Sequence, residues 1–123
     1  MIKNILLVGL GGGIGSIARY LCQRWVAIYF PHQYPWGTFA VNMTGCLLIG
    51  IFWGFSFRSF DSNESWKLFL MTGLCGGFTT FSAFTLEGVG LLKENRTGLF
   101  FLYIAGSVIA GLLATYAGMK LTR

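Results

Sequence analysis

Apolar residues run almost unbroken along this chain, and the charges that interrupt them mark out long segments. Fifteen uncharged residues separate Lys3 from Arg19, 33 separate Arg24 from Arg58, 19 separate Lys67 from Glu87, and 23 separate Arg96 from Lys120. A helix needs about 20 apolar residues to cross a hydrocarbon core about 30 Å thick. The first run keeps its apolar character past Arg19 to Arg24, and Phe30-Pro31-His32-Gln33-Tyr34-Pro35 splits the second. The pattern predicts four spanning helices, at residues 4–27, 36–57, 67–92 and 97–119, in a single domain covering 1–123. Trp25, Tyr29, Tyr34, Trp36 and Trp66 fall at the predicted helix ends, where amphipathic rings favour the membrane interface.

Composition agrees with this layout. The chain is 54% hydrophobic and 11% charged, with a mean hydropathy of +0.65, whereas a soluble domain carries about 25% charged residues. A soluble enzyme and a disordered chain are both excluded. Lipid is the expected surrounding, in a multi-pass protein of the cell membrane, and no nucleic-acid partner is expected. Four crossings put both termini on one side (A), with Lys3, Arg58, Lys67, Lys120 and Arg123; the other side (B) holds Lys93, Arg96 and the neighbourhood of Arg24. So slight a bias suits a chain that inserts in both orientations, and equally an ordinary small membrane protein. Lys3, the following apolar stretch and Ser16-Ile17-Ala18 imitate a cleavable signal, but apolar character continues past Ala18 and favours a span. His32 reads as a loop residue. Cys22, Cys46 and Cys75 fall in separate spans and read as small buried hydrophobes.

Eighteen glycines require their own explanation. Gly13-x-Gly15-x-x-Ala18 satisfies a dinucleotide fingerprint, yet the acidic residue such a site needs about 20 positions later is absent. Spacings of four (Gly9/Gly13, Gly11/Gly15, Gly50/Gly54, Gly73/Gly77, and Gly106/Ala110/Ala114/Gly118) instead predict helices packed backbone to backbone. The run Gly76-Gly77-Phe78-Thr79-Thr80 sets adjacent glycines before two β-branched residues in the third span, and both residue types weaken helix. Either the helix breaks there, with its freed carbonyls buried or lining a cavity, or it stays intact with a small-residue contact face.

Counting helix rise from the span ends brings Arg19, Asn42, Phe81 and Tyr103 to within about 6–9 Å of side B, one residue from each crossing. Such a layer suits an anion. Arg19 supplies positive potential, Asn42 and Tyr103 supply donors, and the positive ring edges of Phe81 and Phe84 can face a small hard anion. Ser82 and Ser107 extend the polar track, while an ionised Glu87 would repel anions. Each residue has a plainer use as well: Asn42 as an interhelical hydrogen-bonding group, the phenylalanines as lipid-facing bulk, and Arg19 as a snorkelling cation.

The motifs Ala18-Arg19-Tyr20, Pro35-x-Gly37-Thr38-x-x-Val41-Asn42-x-x-Gly45 and Gly76-Gly77-Phe78-Thr79-Thr80-Phe81-Ser82-Ala83-Phe84 resemble those of the Fluc (CrcB) fluoride channel family over essentially the whole chain. The resemblance implies an all-α membrane protein with a broken third helix, assembled as an antiparallel dual-topology homodimer with two pores for passive fluoride exit. By similarity, Phe81 and Phe84 match an aromatic box and Asn42 a fluoride-coordinating residue. Tyr103 and Ser107 match pore-lining hydroxyls, and Gly76 and Thr79 match positions whose backbone carbonyls hold a central structural sodium ion. Ala83 departs from the family pattern, standing where many relatives carry Thr. Two other classes compete: a small four-span multidrug or cation exporter, which needs a buried acid that the first span lacks, and a non-transporting assembly protein.

Overall fold

The computed structural model describes residues 1–30, 34–58 and 64–122, and every regular element among them is helical. His32, Asp61 and Arg123 lie outside the described residues. Helix α1 (Ile2–Tyr29) and helix α2 (Trp36–Arg58) are each continuous. The third crossing is composite: α3 (Glu64–Lys67), a π-helical stretch Leu68–Cys75, α4 (Gly76–Phe78), two extended residues, and α5 (Phe81–Lys93). Helix α6 (Thr97–Thr122) closes the chain. Ile2–Tyr29, Trp36–Phe55, Ser65–Lys93 and Thr97–Thr122 are each long and apolar enough to cross a membrane, so this is a multi-pass membrane protein with four spans, the third broken.

The turn from α5 to α6 is short because Asn95 adopts a left-handed conformation at φ 60°. Its N–H donates to the Leu92 carbonyl and that of Arg96 to the Leu91 carbonyl, a reciprocal helix ending in which Asn takes the place usual for Gly. Two bonds thus replace donors that α5 would otherwise lose, and α6 starts at once in the opposite direction.

Polar and apolar positions are turned inside out relative to a soluble protein. The largest fully buried side chains are Tyr103, Val41, Thr38 and Cys75, while Ile5, Leu6, Leu21, Leu112 and Leu121 face outward. With lipid outside, aliphatic burial between helices gains little, so close backbone contact has to supply the association.

Glycine provides that contact along two seams. One is α2 against α6, and the other, equally extensive, is α1 against the π-helical stretch and α4. A Cβ on Gly11 would strike the Phe69 carbonyl, and one on Gly15 the Leu74 carbonyl; one on Gly77 would strike Gly12. On the other seam, Gly50 abuts the Thr115 carbonyl, Gly54 the Thr122 hydroxyl and Gly118 the Leu47 carbonyl.

Two of the expected glycine ridges need correcting. Gly9 and Gly13 have open space where a Cβ would sit, as does Gly106. The ridge of α6 that meets α2 runs through Ser107, Gly111, Thr115, Gly118 and Thr122, anchored by Thr115 and Thr122 hydroxyls donating to the Cys46 and Ile51 carbonyls at 3.1 and 3.0 Å. The spacing of four was right, but several rows on a helix share it. The row that turns inward is the one whose hydroxyls can also reach the neighbouring backbone.

Candidate functional site at the broken helix

The site begins with a local conflict in the third crossing. Helix α4 stops at Phe78; Thr79 (φ −87°, ψ 159°) and Thr80 (φ −148°, ψ 120°) are extended. Thr79 turns its hydroxyl back onto the Cys75 carbonyl at 3.0 Å, where its own N–H also donates. Thr80 then begins the next helix, its Oγ accepting from the Ala83 N–H at 3.2 Å, which is the usual service of a threonine at a helix start. The break falls within the run of residues 76–80 that the sequence singled out, at its threonines: Gly76 and Gly77 remain helical, and the threonines supply side-chain bonds that make the extended conformation self-sufficient.

Two neighbouring helices secure this break. Asn42 of α2 pairs with Thr80 in both directions: its Nδ2 donates to the Thr80 carbonyl at 3.0 Å and its Oδ1 accepts from the Thr80 N–H at 2.9 Å. From α1, Arg19 Nε donates to the Gly77 carbonyl at 3.1 Å. Rerouting of donors leaves some carbonyls without their helical partners. In an unbroken helix the N–H of Thr80 would serve Gly76 and that of Ala83 would serve Thr79; here those donors go to Asn42 and to the Thr80 hydroxyl.

A groove of about 500 Å³ opens beside the break. Asn42, Gly76, Thr79, Phe81, Phe84 and Ser107 line it, so residues from α2, the third crossing and α6 do meet. The rings form a row: Phe81 and Phe84 stand 5.9 Å apart between centroids, and Phe84 lies 5.0 Å from Tyr103. Phe81 is 76% exposed on the single chain and forms the groove's outer lip, whereas Tyr103 is fully buried. The Ser107 Oγ in the groove lining is buried without a hydrogen-bond partner, whereas the Tyr103 hydroxyl turns toward Glu87 and Thr38. Buried polar atoms are nearly always satisfied, and an unpaired donor in a native structure marks a place for water or an ion.

Three candidates are absent from the groove lining: Tyr103, which touches it only through the Phe84 ring, Arg19 and Ser82. Arg19 is not among the groove's lining residues; it spends a donor on the Gly77 backbone instead of turning toward the phenylalanines. Ser82 is exposed and lies within 3.4 Å of the Thr80 hydroxyl, outside the groove lining. Equal depth therefore put the four crossings at one level without deciding which way each side chain points.

A second cavity, of about 530 Å³, lies toward side B between α1, α2 and α5. Gln23 Nε2 donates to the Thr38 hydroxyl at 3.2 Å, and that hydroxyl donates to Glu87 Oε1 at 2.6 Å. Glu87 is thus held near the side B end by this chain. Sequence reasoning overlooked Thr38, Gln23 and Thr80. Thr38 was findable, since it sits four residues before Asn42 on the same face of α2, and so was Thr80, a threonine three residues ahead of the next helical turn. Gln23 carried no comparable signal.

Comparison with known proteins agrees with the geometry. The profile of the family described as "CrcB-like protein, Camphor Resistance (CrcB)" matches residues 6–119. A protein of Flavobacterium psychrophilum is 45% identical over 121 residues, covering 98% of this chain and 98% of its own length. Relatives from Phocaeicola vulgatus and Bacteroides fragilis are each 47% identical, covering 95% and 94% of this chain and 96% and 93% of their own. All three bear the name "Fluoride-specific ion channel FluC".

Proposed function

This chain belongs to the CrcB-like family, and from that membership and the groove beside the break we propose that it is a fluoride-selective channel. Fluoride leaves the cytoplasm through it passively, down its own gradient, and intracellular fluoride falls; no chemical reaction is involved. The observation that carries the proposal is the buried, unpartnered Ser107 hydroxyl in the groove that Asn42, Phe81 and Phe84 line. Hydroxyl donors and positive ring edges offer a small anion many weak contacts, and weak repeated contacts let it leave as well as enter. Asn42 contributes in two ways: one amide N–H clamps Thr80, and the other remains for the passing ion.

The working assembly is an antiparallel homodimer with two pores. Phe81, Ser82 and Gly76 are exposed on the single chain, and a second copy gives that surface a partner. A central sodium ion fits the same surface. The Gly76 and Thr79 carbonyls, released from helical bonding by the break, are hard oxygen donors suited to a hard cation, and a two-fold axis doubles them to four. Bound there, sodium supplies fixed positive charge and ties the two breaks together.

The test uses purified protein in liposomes, with fluoride release followed by electrode. Phe81→Ile and Asn42→Asp each lower efflux at least tenfold while cross-linking still captures dimers. Efflux at the unmodified rate from both variants removes the groove from the mechanism. Proton-driven uptake of an organic cation by the unmodified protein would favour the small four-span exporter instead.

A further inference from the structure

Arg19 is a charged side chain at membrane depth, half-buried on α1, and such a residue normally serves a purpose beyond packing. The sequence suggested that it draws anions toward the passage. Its geometry suits another task. The third crossing stops being helical after Phe78, so the carbonyls of α4 form a helix C-terminus within the membrane. Carbonyls at such an end carry partial negative charge and lack intrahelical donors. In lipid each unsatisfied one is costly, and irregular backbone survives there only when the protein itself satisfies it. In an unbroken helix the Phe81 N–H would serve Gly77, but Phe81 is the first residue of α5. Arg19 Nε fills that place at 3.1 Å. The contact is close because Gly77 and Gly73 let α1 approach at Gly12 and Gly11; a side chain at either glycine would push the guanidinium away from its acceptor.

We propose that Arg19 is a positioning residue which latches the broken helix from the α1 side, as Asn42 does from the α2 side, and that its bonding contact, not its charge, is what the passage requires. The two latches grip consecutive parts of the break, Arg19 at the Gly77 carbonyl and Asn42 at both backbone groups of Thr80. Between them the chain is held so that Gly76 and Thr79 border the groove and Phe81 and Phe84 stand along it. The effect of this latch on fluoride flux rests on the channel function proposed above; its effect on the backbone does not.

Arg and Gln carry nitrogen at the same position along the side chain, so Arg19→Gln retains an N–H donor where Nε stands and removes the charge. Arg19→Met has similar length and removes both. The experiment compares these two variants and the unmodified protein in liposomes, measuring fluoride efflux and, by mass spectrometry, amide hydrogen exchange in peptides covering residues 77–83. Arg19→Gln is expected to keep efflux within threefold of the unmodified rate and to leave exchange unchanged. Arg19→Met is expected to lose at least tenfold in efflux, not recovered by raising fluoride tenfold, and to exchange at least tenfold faster at 77–83, with peptides of α6 unaffected. Equal loss of efflux in both variants with exchange unaltered would overturn the latch and return Arg19 to the role of an anion lure. Should the unmodified protein pass no fluoride, the channel reading fails, and the exchange comparison alone decides the latch. Arg19→Lys, which keeps a charged donor, replaces Arg19→Met if the latter does not reconstitute; exchange at 77–83 as slow as in the unmodified protein is then expected, and exchange tenfold faster overturns the proposal.

Discussion

On the α2–α6 seam, a methyl group added at Gly50, Gly54 or Gly118 would collide with the opposite helix, while beside the break one added at Gly76 would meet only the Met71 carbonyl, at 4.0 Å. Along the seam Thr115 and Thr122 spend their hydroxyls on α2 carbonyls. Beside the break, Ser107 on the same helix α6 keeps its hydroxyl free. One helix therefore closes against its neighbour at one end and leaves a donor unspent at the other. Contact tight enough to exclude everything holds a membrane bundle together, whereas passage requires surface that the protein has not already satisfied. The two regions obey different rules for substitution, and variants separate them.

The largest effect is expected on the closed side. Gly118→Val forces a side chain onto the Leu47 carbonyl and the Ile51 N–H; overpacking of this kind costs about 1–3 kcal/mol even where neighbours can shift, and here the obstacle is backbone. Gel filtration in mild detergent should show most of the protein aggregated. Next comes the clamp. Asn42→Ala strands the N–H and carbonyl of Thr80, and each unsatisfied buried group costs about 1–3 kcal/mol; efflux should fall at least tenfold while the elution volume stays that of the unmodified protein. A smaller change is expected from Phe84→Ile, which keeps apolar bulk and removes the ring edge between Phe81 and Tyr103; a three- to tenfold drop in fluoride efflux, with thermal stability nearly unchanged, separates ring chemistry from packing. Smallest of all is Gly13→Ala. Nothing lies within 4 Å of the added methyl, and alanine improves helix propensity by up to about 1 kcal/mol, so melting temperature holds or rises slightly and efflux is unaltered. A large loss from Gly13→Ala would mean that a surface open on the single chain is closed in the working assembly.

The four crossings were legible because the membrane imposes a length and an apolarity that charges delimit plainly, and the observed helices overrun the expected ends by only a few residues. The break was legible in kind, since glycines beside β-branched residues disfavour helix. The run of residues 76–80 contains it, and which of those residues open is decided by Asn42, a residue on another helix, taking up the Thr80 backbone. Counting depth brought Arg19, Asn42, Phe81 and Tyr103 to one level, and of these Asn42 and Phe81 line the groove, beside Phe84 and Ser107, which helix spacing had added. Counting fixes level, not azimuth, and so it also admitted Arg19, which bonds the Gly77 backbone instead. Spacing of four likewise enlisted Gly106 and Ala110 in a ridge that belongs to Ser107 and Gly111.

The central claim is that the groove beside the break conducts fluoride in preference to other halides, and ion release from liposomes carrying the unmodified protein tests it most directly. With equal gradients of fluoride and chloride, each measured by its own electrode, the account predicts rapid loss of fluoride and chloride retention indistinguishable from protein-free vesicles. Chloride released as fast as fluoride, or neither ion released above that background, would contradict it.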